Sequence, residues 1–279
     1  LPELMDKMYD DRVKFKKYAL DASRRYEETK DKKYLKEISK YNNIQMARKI
    51  ALNSAYGAIG NQYFRYYNEK MATAITTSGQ LSIRWIENKV NDYLNGILQT
   101  TDEDYIIASD TDSIYVTFDE LVRKSFGERT DVSTERVINF LDKIAKEKME
   151  PYINNCYEEL AEYVKAYAQR MEMSREVIAD KGIWTAKKRY ILNVHDSEGV
   201  RYAEPKLKIM GIEAVKSSTP GPCREKIKEV LKVIVNEDVK AVNIFIQDFR
   251  KEFLSLPIEA VAFPRSVNGL RKWSDSNSI

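Results

Sequence analysis

Asp110 and Asp112 stand one residue apart in "ASDTDSIYV" (108–116), inside a run otherwise rich in β-branched and aromatic residues. Residues two apart on a strand face the same side, and at a tight turn both carboxylates can reach one cation. Carboxylate oxygens are the donors a hard ion such as Mg²⁺ prefers. Buried without a cation, the pair would have to be hydrogen-bonded or protonated. Alone, the pair leaves other readings open. A turn aspartate often only bonds its own backbone, sugar-nucleotide transferases also use a D-x-D, and "DED" at 102–104 reads as a solvated loop.

A second constellation lies in "ARKIALNSAYGAIGN" (47–61), where Lys49, Asn53 and Tyr56 fall at i, i+4 and i+7. On a helix these share a face. A cation, an amide and a ring in a row could hold a phosphate tail, a sugar and a base. The alternative is a helix end whose Tyr56 packs inward while Lys49 stays solvated. Arg12 and Lys16, also four apart, could face Lys49 from an antiparallel helix and complete a basic pocket for a triphosphate. Further basic clusters are "RVKFKK" (12–17), "KKR" (187–189) and Lys206, Lys208 and Lys216. Any of these can equally be a solvated face.

These residues need elements to hold them. The pattern predicts a helix over 3–29, a polar break at "ETKDKK", and a second helix from Tyr34 to Tyr56 ended by Gly57 and Gly60. Two long charged helices so joined form a hairpin with little core of its own, which should project from a larger body. A helix over 78–98 carries the stripe Ile83, Ile86, Val90, Tyr93 and Ile97. "YIIASDTDSIYVTF" reads as a β-hairpin. Helix returns over 134–170, with Val137, Phe140, Leu141 and Ile144 facing inward and a break at Pro151. "GIWTAKKRYILNV" and "GVRYAE" form a second hairpin around His195, and two amphipathic helices follow from Thr219 to Leu256. The tail "AFPRSVNGLRKWSDSNSI" shows no periodicity.

The 279 residues suffice for a sizeable core and two or three subdomains. Hydrophobic residues make up 43% and charged residues 32%, as in an ordinary soluble protein. No apolar run approaches a membrane span, and no signal-peptide pattern opens the chain. With a net charge of +3, any affinity for a polyanion must come from local clusters. Cys156 and Cys223 lie far apart and read as reduced thiols. His195 is the sole histidine, which excludes a histidine-rich zinc site.

"KIALNSAYG" resembles the K-x-x-x-N-S-x-Y-G motif of family B DNA polymerases, and "SDTDSIY" resembles their D-T-D-S hairpin. "KKRY" (187–190) is similar to the basic-aromatic motif that this family sets against the primer. "KLKIMGIEAVKSSTP" and "FRYYNEKMATAITTSGQLSIRWIE" look like the tailed-bacteriophage replicative branch. The resemblance runs through nearly the whole chain in the family's order. It implies an α+β fold with helical-hairpin fingers (1–57), an antiparallel-sheet palm with packed helices (58–211) and a partial helical thumb (212–279). It further implies addition of dNTPs to a primer 3′-OH on a DNA template, in the cytoplasm of an infected bacterial host. Asp110 and Asp112 would bind two Mg²⁺ ions. Lys49 would neutralise the triphosphate and protonate the pyrophosphate, and Arg12 and Lys16 would grip the β- and γ-phosphates. Asn53 and Tyr56 would line the nascent base pair. Lys187, Lys188, Arg189 and Tyr190 would contact primer DNA.

Two departures accompany the resemblance. Ser109 replaces the glycine usual before D-T-D, and nothing like the family's D-x-x-S-L-Y-P-S motif, which carries a further metal-binding aspartate, occurs in the sequence. The expectation is a carboxylate set shared with a companion chain or with the rest of a larger enzyme. That polypeptide would also hold the exonuclease, and a sliding clamp would bind through a C-terminal tail absent here. Leu1, not methionine, fits either a split polymerase or a fragment. The competing reading is a catalytically inert module that binds primer-template DNA.

Overall fold

The computed structural model describes residues 2–127, 132–266 and 268–269. Helices α1 (Pro2–Thr29) and α2 (Lys33–Ile59) form the expected hairpin. Its interior is thin: only Ala19 and Ala22 of α1 are buried, and no residue of α2 is. Aromatic and cationic contacts join the pair instead. Phe15 stacks on Tyr41 at 6.2 Å, Tyr18 lies 5.4 Å from Tyr41, and the Arg48 guanidinium sits 5.5 Å over Phe15 and 3.6 Å from Asp11. Contrary to expectation, α2 runs through Gly57. It stops only at Gly60, which keeps right-handed backbone (φ −81°) and donates to the Tyr56 carbonyl.

Helix α3 (Glu69–Leu98) begins nine residues earlier than its apolar pattern. Asn68 caps it by accepting from the Met71 N–H at 3.0 Å, and Glu69 complements the positive end. Its first turns lack an apolar stripe because most of them are exposed. The buried line is Ser82, Ile86, Val90, Leu94 and Leu98, spaced by four. Ile97, expected inside, is exposed, and the inward position falls to the next residue, Leu98.

Strands β1 (Ile106–Asp110) and β2 (Ser113–Val116) form a two-stranded antiparallel hairpin. A short helix that the sequence reading missed, α4 (Asp119–Phe126), follows. Helix α5 (Thr134–Ile144), capped by Ser133, passes through a π-helical segment (Ala145–Met149) into α6 (Glu150–Tyr163). The expected break at Pro151 is therefore no break. Pro151 is the second residue of α6, directly after the π-helical segment, and the helical backbone continues through it; the helix ends at Tyr163, well short of residue 170. One core joins these elements: Ile86, Val90 and Leu94 of α3 meet Ile153, Cys156, Tyr157 and Leu160 of α6, with Ile106, Ile114 and Val116 of the hairpin packed against them. Trp85 donates to the Cys156 carbonyl at 2.9 Å, and Tyr152 donates to that of Lys89 at 3.0 Å.

Strands β3 (Val177–Ala186), β4 (Arg189–Ser197) and β5 (Val200–Met210) form a sheet in that order. His195 lies within β4, not in a turn. The turn is Glu198–Gly199, with φ of 51° and 78°, the left-handed pair that a two-residue hairpin of type I′ demands. A second core gathers Ile191, Ala214, Leu231 and Val235. It includes α7 (Gly221–Asn236), which pairs with α8 (Val239–Ser255) through Lys226 and Glu252 at 3.1 Å; α9 (Ile258–Val261) follows. The chain divides into two compact units. One extends to Ile178 and includes His195–Glu204; the other comprises Ala179–Val194 and the chain from Pro205. Much of the sequence's aperiodic tail, Val267 and residues 270–279, lies outside the described residues. The α+β class read from the sequence holds, with two small separate sheets.

A buried ionic network secures the Glu198–Gly199 turn. Asp196, with its side chain 2% exposed, receives Arg175 and Arg201 (Nε at 3.1 Å) and accepts the Gly199 N–H at 2.9 Å. Arg175 also pairs with Asp142. Burial pushes the Asp142 carboxyl up, but hydrogen bonds from Lys146 and Arg175 outweigh it and hold the group below its ordinary value. Its contribution is complete above the ordinary carboxylate pKa and fades as pH falls through the lowered one. Stripping one partner from a buried charge is costly. Arg175→Met should lower the unfolding free energy by about 3–5 kcal/mol in urea denaturation. A loss under about 1 kcal/mol would mean that Arg201 alone suffices for Asp196.

Candidate active site

The carboxylate pair is a property of the β1–β2 turn. Asp110 pairs with Ser113 in the ladder, leaving Thr111 and Asp112 as the two-residue loop. Thr111 is left-handed (φ 54°), the Asp112 N–H donates to the Asp110 carbonyl at 2.6 Å, and the Ser113 hydroxyl donates to the same oxygen at 3.2 Å. The Thr111 hydroxyl donates to Asp110 Oδ1 at 3.0 Å. The reversal of the turn, rather than a shared strand face, therefore brings the carboxylates to one end of the hairpin. Asp110 is half-buried and Asp112 exposed. Beneath them the Tyr157 phenol is pushed up, first by burial and then by the negative charge of Asp112, which places that carboxylate within electrostatic reach of the α6 core. Ser109 is an extended strand residue opposite Ile114, so the backbone there does not require glycine.

These oxygens suit a hard cation. Among the described residues, however, no group of three or more His, Cys, Asp or Glu side chains could hold a metal. The residues present thus fit part of a magnesium ligand set.

On the helical hairpin, Lys49, Asn53 and Tyr56 lie on one face of the unbroken α2, all exposed. Arg48, one residue earlier, turns to Asp11 and Phe15, which fixes the helix's rotation and leaves Lys49 to solvent. Arg12 is half-buried, and its Nε is buried without a hydrogen-bond partner among the described residues. Lys16 makes an ion pair with Glu198. The structure thus brings Asp110 to Asp112 and aligns Lys49, Asn53 and Tyr56, while Lys16 is engaged elsewhere.

The basic motif caps the β3–β4 hairpin. Lys187 and Lys188 form its turn, exposed, with Lys188 left-handed (φ 62°). Arg189 is also exposed and lies 3.3 Å from Glu213. Tyr190 is 7% exposed, its ring 6.2 Å from Trp184, so it supports the tip from inside the sheet. Sequence reasoning missed two residues here. A hydrogen bond from Lys216 holds Glu213 below the usual carboxylate value, with Arg189 adding to the effect. Gly211 (φ 67°) leaves no room for a side chain, since a Cβ there would come within 2.1 Å of the Lys188 carbonyl oxygen. Its isolated position after the β5 run was the available signal.

Residues 1–139 match the family model for DNA polymerase family B. The chain is 40% identical to the DNA-directed DNA polymerase of Enterobacteria phage T4, over 94% of its own length and 30% of that protein's. It is 46% identical to the DNA-directed DNA polymerase of Escherichia phage RB69, over 82% of its own length and 26% of that protein's. The chain belongs to the family B DNA polymerases. It spans less than a third of the length of these curated relatives. Residues 47–61 and the D-T-D turn both lie within the matched segment. Among the described residues no helix is long and apolar enough to cross a membrane.

Gly211→Ala should force the β3–β4 tip of this family B chain to shift. The left-handed backbone alone costs an alanine about 1–2 kcal/mol, and the clash with the Lys188 carbonyl adds to it. Urea denaturation should show a loss at least that large, with faster amide hydrogen exchange at residues 187–189. Unchanged exchange there would contradict the packing.

Proposed function

We propose that this chain carries the nucleotide-adding part of a DNA-directed DNA polymerase, acting on primer-template DNA and dNTPs. The observation that carries the reading is the D-T-D turn, which presents two carboxylates over the α3–α6 core in a chain of this family. Residues 1–57 serve as fingers, 58–211 as palm and 212–279 as part of the thumb. Asp110 and Asp112 hold two Mg²⁺ ions together with a further aspartate from a segment bearing D-x-x-S-L-Y-P-S. Held there, Mg²⁺ would supply the charge that activates a primer 3′-oxygen and stabilises the departing oxygen of an in-line displacement.

The side chains do the rest. The Lys49 ammonium neutralises the incoming triphosphate and gives a proton to the leaving pyrophosphate. Arg12 and Lys16 bind its β- and γ-phosphates. Asn53 and Tyr56, exposed one and two turns beyond Lys49, border the new base pair and sense its shape. Lys187, Lys188 and Arg189 touch the primer backbone from a rigid hairpin tip that Tyr190 supports. These phosphate contacts give affinity without sequence preference and weaken with salt.

Primer extension by the 279-residue chain, with and without a polypeptide bearing the upstream aspartate motif, tests the reading. Activity should require the added segment; robust extension by the chain alone would overturn the shared ligand set. In the reconstituted assay Asp112→Asn should reduce turnover by at least about 10²–10³-fold, leaving DNA affinity nearly intact. Full activity would remove Asp112 from the metal site. Lys49→Ala should raise the dNTP KM and lower kcat together, and unchanged kinetics would remove Lys49 from the pocket.

A further inference from the structure

We propose that Glu198 is a latch residue, one that holds Lys16 in the nucleotide-free state and so sets the apparent affinity for the dNTP triphosphate. This rests on the assignment of Lys16 to the triphosphate. Glu198 lies 182 residues from Lys16 in sequence, yet its carboxylate is the ion-pair partner of that lysine.

The carboxylate is presented from a fixed point. Glu198 and Gly199 are both left-handed, the Glu198 N–H donates to the Glu176 carbonyl at 2.7 Å, and the Gly199 N–H donates to buried Asp196 at 2.9 Å. Helix α1 meets the same turn a second time. Arg24 donates from Nε to the Gly199 carbonyl at 3.1 Å and from Nη2 to the Glu198 carbonyl at 3.2 Å. Asp21 orients that guanidinium from 2.7 Å. A side chain at position 199 would press on it, because a Cβ would lie 3.1 Å from Arg24 Nη2. Arg24 thus docks the helix by backbone contacts that are indifferent to the charge at 198, while Glu198 takes up the cation.

The pair is partly open to water, with side-chain exposures of 39% for Lys16 and 27% for Glu198. Ion pairs of this kind shift an equilibrium only about two- to fivefold. A triphosphate, with several charges and more acceptor oxygens than one carboxylate, can therefore take Lys16 from Glu198. Until it does, only the fraction of molecules with Lys16 released binds at full strength, and the apparent affinity falls by that fraction.

The test is equilibrium titration of the 279-residue chain, combined with the polypeptide bearing the upstream aspartate motif, primer-template DNA and Mg²⁺, with a fluorescent N-methylanthraniloyl dATP, using wild type, Glu198→Gln, Lys16→Ala and the double variant. Absence of binding by the wild type would overturn the triphosphate assignment and the latch with it. Glu198→Gln should tighten binding about two- to fivefold. Lys16→Ala should weaken it, and in that background Glu198→Gln should have no effect. Glu198→Asp, which retains the charge but withdraws it by one methylene, should also tighten binding and controls for any loss of folding in the glutamine variant. If Lys16→Ala weakens binding while Glu198→Gln changes nothing, the latch is wrong and the triphosphate assignment survives. If Glu198→Gln tightens binding equally without Lys16, the latch is again wrong. If Lys16→Ala has no effect, the triphosphate assignment itself fails and the latch with it.

Discussion

Two carboxylates at one tight turn repel each other, and the backbone of the turn here is fixed. The ladder pair Asp110–Ser113 closes it on one side, Thr111 is committed to the left-handed region, and the Asp112 N–H is tied to the Asp110 carbonyl. A hairpin that tolerates this charge density must sit where a cation can answer it, or where water can reach it. Asp112 meets the second condition by its exposure, which also leaves it accessible to an ion. The rest of the first unit follows from keeping this turn rigid. Ile106, Ile114 and Val116 of the two strands are pressed on the α3–α6 core, and the Trp85 and Tyr152 hydrogen bonds pin those helices to each other.

The helical hairpin answers to a different constraint. With only two alanines buried, its stability comes from aromatic stacking and from the contacts of α1 with the Glu198–Gly199 turn. Such an element has little core to lose when it moves. The turn that receives α1 is, by contrast, built on a buried carboxylate held by two arginines, so one side of this contact is stiff and the other adaptable.

Local pattern carried far in this chain. The α1–α2 hairpin, the D-T-D hairpin and the α7–α8 pair were all legible, because each is specified by neighbouring residues; the turn at Lys187–Lys188 was not, since "GIWTAKKRYILNV" reads as one strand and the structure divides it into β3 and β4. The face bearing Lys49, Asn53 and Tyr56 followed from spacing alone. What escaped had physical reasons. The early turns of α3 are exposed and show no stripe, so only the Asn68 cap marked its start. Its inner face runs through Leu98 rather than Ile97, a rotation that packing against α6 decides. The π segment at 145–149 leaves no trace in hydrophobic period. The second hairpin turned at Glu198–Gly199 rather than around His195, since left-handed backbone favours glycine over histidine. Least visible were Lys16–Glu198 and Arg175–Asp196, whose partners are distant in sequence and meet only through the tertiary fold.

Cation binding at the β1–β2 turn is read directly by anomalous diffraction. Crystals of the chain together with a segment bearing the upstream aspartate motif, soaked in Mn²⁺ and dATP, should show an anomalous peak at about 2.0–2.2 Å from carboxylate oxygens of Asp110 and Asp112, the separation typical of a small octahedral divalent ion. A fully assembled nucleotide pocket with manganese elsewhere, or with both carboxylates directed away from it, would contradict the account.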